Sequence, residues 1–231
     1  MKDRVVLITG AKGGLGNFVT NAFLDASAFV VGSSRSISQS DFPVATFSAE
    51  AVDFTKPADV NKLVEKVVSK FGGLDILVHV LGGFAGGKKV AETDDATWQQ
   101  MLDLNLNSAF YVLRAAIPHL RKSRRGRIIA IGSLAATEPH SGLAAYVTSK
   151  SALAMLVRSV AEENKDAGVT ANVVLPGTMD TPANREAMPK ADFAKWLQPQ
   201  DVAKLVLWLA DENAGHITGA VIPIDGGLVR G

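Results

Sequence analysis

Short runs of aliphatic and β-branched residues alternate along this chain with longer stretches in which apolar positions return every three or four residues. The short runs predict strands near 4–9, 28–33, 49–53, 74–80, 127–132, 170–175 and 220–224, since a compact apolar run bounded by turn residues suits a buried strand. The longer stretches predict helices over 15–26, 57–71, 95–121, 145–165 and 199–211. Strands and helices taking turns in this way specify a parallel sheet covered by helices on both faces. The expected fold is therefore α/β, a doubly wound, seven-stranded parallel sheet. One long stretch, from Pro182 through Pro189 to Pro199, shows no clear period.

Composition narrows the picture. At 231 residues, 47% of them hydrophobic, the chain can build an ample core, and α/β folds commonly reach about 200–250 residues as one domain. There is no internal repeat, low-complexity tract or interdomain linker. No cysteine is present, which excludes a disulfide framework and a cysteine-ligated metal. His79, His119, His140 and His216 have no carboxylate or histidine at ligand spacing, so no metal site is expected. Met1-Lys2-Asp3 precedes the first strand directly, which leaves no room for a signal peptide and suits the cytoplasm. No apolar run approaches the ~18 residues of a membrane span. A net charge of +1 gives no reason to expect a membrane or nucleic acid as partner.

Candidate chemistry centres on Tyr146-Val147-Thr148-Ser149-Lys150, with Ser133 upstream. In a helix, Tyr146 and Lys150 stand at i and i+4, about 5–6 Å apart at Cβ. A free tyrosine titrates at about 10, and a neighbouring cation lowers that value toward general acid–base use. Ser133 follows the run Arg127-Ile128-Ile129-Ala130-Ile131-Gly132, which puts its hydroxyl at a strand's carboxyl end, where open α/β sheets place their sites. At the other end of the chain, the strand-like Arg4-Val5-Val6-Leu7-Ile8 leads at once into Thr9-Gly10-Ala11-Lys12-Gly13-Gly14-Leu15-Gly16. Strand, glycine turn and helix in that order let a backbone approach a pyrophosphate and stabilise its charge with helix amides.

T-G-x-x-x-G-x-G at 9–16, Asn105 within Leu104-Asn105-Leu106, Ser133, Tyr146-x-x-x-Lys150 and Pro176-Gly177-x-x-x-Thr181 resemble the short-chain dehydrogenases/reductases in order and spacing. Ile217-Thr218-Gly219 and Asp225-Gly226-Gly227 fit as well, so the resemblance runs over essentially the whole chain. It implies a Rossmann-type fold in a single domain, 1–231, whose segment at about 182–199 covers the substrate. The implied reaction is hydride transfer between a nicotinamide and a small-molecule carbonyl or alcohol. In it Ser133 orients the carbonyl oxygen and Tyr146 protonates it, while Lys150 lowers the tyrosine pKa and binds ribose. Asn105 holds a water that links Lys150 to solvent. The cofactor set carried over is Gly10, Lys12, Gly14, Leu15, Gly16, Ser34, Arg35, Asp53, Phe54, Gly82, Tyr146, Lys150, Pro176, Gly177 and Thr181; the substrate set is Phe84, Ser133, Tyr146 and Met179.

Ser34-Arg35 after the second strand lacks the acidic residue that would bind the 2′-hydroxyl of NAD, and an arginine there accommodates the 2′-phosphate of NADP. NADP(H) is thus favoured, with NAD(H) the alternative, and Lys12 could add a second positive charge. Asp53, by resemblance, contacts adenine. The chain departs from the family at His79-Val80-Leu81-Gly82, where Asn-Asn-Ala-Gly is usual. His79 reads as a satisfied core residue or, alternatively, a proton relay, and His140 as an exposed loop residue. Around Gly82-Gly83-Phe84 and Leu175 to Trp196 there is a local resemblance to dihydropteridine reductases, which raises a pterin as an alternative substrate. A non-catalytic dinucleotide sensor is the alternative of another class. The basic run Arg121-Lys122-Ser123-Arg124-Arg125-Gly126-Arg127 reads as a solvated helix end, with docking of an acidic carrier protein or of nucleic acid as the alternative. By resemblance, helices 95–121 and 145–165 pair across a homotetramer or homodimer; Leu153, Leu156 and Val160 could face outward there or equally face the sheet.

Overall fold

A computed structural model of the chain describes residues 1–226; Gly227, which ends the Asp225-Gly226-Gly227 motif, lies outside the described residues. Strands β1 (Val5–Thr9), β2 (Phe29–Ser34), β3 (Phe47–Ala51), β4 (Ile76–His79), β5 (Arg127–Ile131), β6 (Thr170–Pro176) and β7 (Val221–Ile224) form a seven-stranded sheet in the order β3-β2-β1-β4-β5-β6-β7. Every pairing is parallel. This is the expected Rossmann-type sheet. The chain winds outward from β1 to β3, then returns to β4 and winds the other way. The carboxyl ends of β1 and β4 therefore meet at a topological switch point, where such sheets bind ligands.

Successive side chains on a strand point to opposite faces, and the core divides accordingly. Leu7, Leu77, Ile128 and Val173 pack with helices α2 (Pro57–Phe71), α4 (Ser108–Ser123) and α5 (Ala144–Asn164) on one face. Ile8, Val30, Val78 and Val174 pack with α1 (Gly16–Asp25) and α7 (Pro199–Ala210) on the other. All residues of β1, β4, β5 and β6 are buried. Burial on both faces is why these strands read as unbroken apolar runs. No helix among the described residues is long and apolar enough to cross a membrane.

Three elements differ from the sequence expectation. The third strand starts earlier, at Phe47, because its pairing with β2 begins at Val30 opposite Phe47. The helix expected over 95–121 is two helices, α3 (Asp95–Leu102) and α4, separated by a π-helical turn over Asp103–Asn107. The aperiodic stretch contains the short helix α6 (Pro182–Ala187). Thr181 caps α6 by accepting the Asn184 amide proton at 3.3 Å, and Pro182 is preset for a first helical position. The segment returns to its root where Leu197 pairs with Met179.

Candidate active site

A single cavity of about 1010 Å³ opens over the switch point and runs from the glycine turn to Tyr146. The turn is shaped by crowding. Gly10 has φ +69°, and a side chain there would sit 2.8 Å from the Leu81 amide nitrogen; one on Gly16 would lie 2.0 Å from the Gly10 carbonyl oxygen. Only glycine fits at either place. The N-terminus of α1 thus reaches the cavity wall, free of acidic residues in its first turn, which makes it a site for a negatively charged group.

The wall at this end also carries Lys12, Ser34, Arg35, Asp53 and Phe54, all expected from the sequence. Ser34 Oγ is buried without a hydrogen-bond partner among the described residues. Arg35 is exposed at the rim. Lys12 bridges the turn to the loop after β2, donating to the Ser36 carbonyl at 3.2 Å and pairing with Asp41 at 2.9 Å. The Asp53 carboxylate accepts from the Thr55 amide at 3.0 Å and the Thr55 hydroxyl at 2.7 Å, and these bonds hold it below the usual carboxylate range. Asp41 and Thr55 carried no sequence signal, since both act through loop geometry. Cavity length, glycine cradle and the open Ser34 hydroxyl together fit a dinucleotide.

At the other end Tyr146 and Lys150 share one face of α5, and both reach the cavity. The Tyr146 hydroxyl is hydrogen-bonded to Ser133, which lowers its pKa, but burial dominates and keeps the phenol above its ordinary value. Lys150 does not produce the expected lowering of Tyr146: its Nζ donates to the Ile131 carbonyl at 2.9 Å, and burial depresses its own pKa to about 8. Ser133 meets Tyr146 without lining the cavity itself, and Pro176 and Gly177 also stand behind the wall. Gly177 is tied to the Ile224 carbonyl at 2.9 Å, at the root of the segment that brings Met179 and Thr181 to the wall. Phe84 is 67% exposed and meets Tyr146 edge to face, with ring centroids 5.0 Å apart.

Asn105, fully buried in the π turn, is a clamp. Its Oδ1 accepts from the Gly83 amide at 2.9 Å, and its Nδ2 donates to the Gly83 carbonyl at 3.1 Å and to Ser149 Oγ at 3.0 Å. A side chain on Gly82 would lie 2.8 Å from both Asn105 Oδ1 and Lys150 Nζ, so Gly82 lets these groups face each other. The local hydrogen bonding that two family asparagines would supply is met differently. Thr9 Oγ1 accepts the Leu81 amide at 3.3 Å and bonds His79 Nδ1 at 2.9 Å. His79 is only half satisfied, because its Nε2 is buried without a partner among the described residues. His140 is exposed, and no cluster of candidate metal ligands occurs among the described residues. In the basic run, Arg121 bonds Asn164, Arg125 pairs with Glu212, and Arg127 is buried against the Gly126 carbonyl.

The chain belongs to the short-chain dehydrogenase family, whose model, described as short chain dehydrogenase, matches residues 4–192. It is 30% identical to the 3-oxoacyl-[acyl-carrier-protein] reductase of Escherichia coli (strain K12) over 98% of each chain. It is 32% identical to the 2,3-dihydro-2,3-dihydroxybenzoate dehydrogenase of the same organism, covering 98% of this chain and 97% of that one. Among solved structures, gox2181 superposes with a TM-score of 0.94 at 27% identity, over 100% of this chain and 97% of the other. ElxO with NADP bound superposes with a TM-score of 0.92 at 28% identity over the whole of both chains. The protein is thus an NAD(P)-binding oxidoreductase acting between CH–OH and C=O groups.

Proposed function

We propose that this chain is an NADP(H)-dependent reductase of a small-molecule carbonyl, with Tyr146 as general acid, Ser133 orienting the carbonyl oxygen and Lys150 and Asn105 supporting them. The observation that carries this reading is one cavity joining the cationic pair Lys12 and Arg35 at one end to the Ser133-bonded Tyr146 hydroxyl at the other. When bound along it, the dinucleotide supplies the hydride. Burial keeps the Tyr146 phenol protonated at neutral pH, the state a proton donor to a developing alkoxide needs. Lys150, where charged, favours that alkoxide electrostatically. The absence of an acidic residue at Ser34-Arg35 and the NADP in the ElxO structure support the phosphorylated cofactor.

For substrate, the exposed Phe84 ring beside Tyr146 favours a flat or cyclic molecule stacked against it, a quinonoid pterin being one candidate. Assay of ketones, 3-oxoacyl thioesters, quinones and quinonoid pterin with NADPH and NADH side by side tests the whole reading. Turnover with at least one substrate is expected, with kcat/KM favouring NADPH by about tenfold or more, the worth of one charge-assisted contact to the 2′-phosphate. Preference for NADH would overturn the cofactor choice. Binding without oxidation across the panel would favour a dinucleotide sensor instead.

A further inference from the structure

His79 ends β4 at 1% exposure, and the fold treats its ring nitrogens differently. Nδ1 lies 2.9 Å from Thr9 Oγ1, whereas Nε2 is buried with no partner among the described residues. Thr9 Oγ1 accepts the Leu81 amide proton, and its own proton has no acceptor among the described residues other than the ring, so the hydroxyl donates to Nδ1. Nδ1 then accepts, and the ring proton sits on Nε2. A buried N–H of this kind needs an acceptor.

Lys150 decides what that acceptor can be. His79 pairs with Ala130 across the β4–β5 ladder, next to the Ile131 whose carbonyl takes Lys150 Nζ at 2.9 Å; the charge of Lys150 acts on His79, and the ammonium still has N–H groups to place. An ammonium only donates. Each of these buried donors needs an acceptor, and one water oxygen between them can serve both. Asn105 is held elsewhere, on Gly83 and Ser149. We propose that an ordered water accepts from both His79 Nε2 and Lys150 Nζ, and that His79 is thereby a positioning residue for the ammonium beside Tyr146.

This rests on the reading in which Lys150 serves Tyr146. Among the described residues, Tyr146 lies one turn before Lys150 on α5 and His79 faces it from β4; β5 offers the Ile131 carbonyl and the π turn the Asn105 amide. Burial, assisted by the charge of Lys150, holds the His79 imidazole near about 3, so it stays neutral at working pH and acts only through hydrogen bonding. Burial holds Lys150 at about 8. An acceptor for the ammonium favours its charged form. Without the His79 anchor, Lys150 therefore loses its charge at lower pH, and the alkaline limb of activity moves down with it.

The test uses the full chain, with and without NADPH. Long-range ¹⁵N–¹H NMR of the wild type reports the tautomer, and a proton on Nε2 is expected; an unprotonated Nε2 overturns the proposal without any variant. Lys150 is then titrated by NMR in His79→Asn and His79→Leu, with Lys150→Arg to assign its signal. His79→Asn keeps a donor and should leave the titration and the kcat–pH profile in place. His79→Leu should lower the Lys150 midpoint by about one pH unit, the scale of one lost hydrogen bond to a charged group, and move the alkaline limb with it. An unmoved Lys150 midpoint in folded His79→Leu sinks the proposal. Failure of every carbonyl to turn over would count against the proposed function alone, because the tautomer and the Lys150 titration are read without turnover.

Discussion

Tyr146 and Lys150 show how far a residue's environment can depart from what its spacing implies. The i, i+4 relation puts both side chains on one face of α5, as the sequence predicts, but burial raises the tyrosine and lowers the lysine. Burial that raises the phenol keeps it in the protonated form that donates to a developing alkoxide. Replacing Tyr146 with Phe keeps the ring against Phe84 and removes the proton. Turnover should fall by about 10²-fold or more, the range general acids supply, in steady-state assays with the best carbonyl from the panel; unchanged kcat would remove Tyr146 from the chemistry. The motif residues were legible because glycines, Tyr, Lys and Asn stand at fixed offsets. Their partners were not: Asp41, Thr55 and Ser149 are ordinary polar residues until loops bring them to Lys12, Asp53 and Asn105.

At the scale of elements, two local irregularities build the site. The π turn over Asp103–Asn107 widens the helix ladder and aims Asn105 inward, in keeping with the tendency of such turns to sit at functional sites. Periodicity alone reads straight through it, because a single wide turn is shorter than the window over which an apolar pattern can be read. The glycine turn was legible by composition, and crowding explains it: a side chain on Gly16 would overlap the Gly10 carbonyl, which is backbone and cannot step aside. Gly16→Ala should therefore lose about 1–3 kcal/mol of stability in urea denaturation and weaken NADPH binding in fluorescence titration. A variant with wild-type stability and affinity would mean that the turn relaxes freely.

For the whole molecule, tertiary packing decides between the two readings of the apolar positions on α5 and so which surface is available for assembly. Leu153 and Val160, candidate outward positions, are buried against the sheet, and Leu156 is partly so. The outward apolar residues are Met155, 58% exposed on α5, and Phe110, 43% exposed on α4 beneath the Arg114 guanidinium. If these helices pair between subunits, light scattering should give the mass of two or four 24.3 kDa chains, and Met155→Glu should shift it toward one. A monomeric wild type would rule out such pairing. By itself the sequence determined the alternation of strands and helices, the parallel sheet and the motif residues, because burial on both faces and fixed local spacing are written in composition and order. Only the tertiary structure decided that one cavity joins Lys12 to Tyr146, that Lys150 donates to the Ile131 carbonyl, and that His79 buries an Nε2 with no protein partner among the described residues. Each of these depends on residues distant in the chain meeting where β1 and β4 diverge, a contact set by the winding order of the sheet and not by any local pattern.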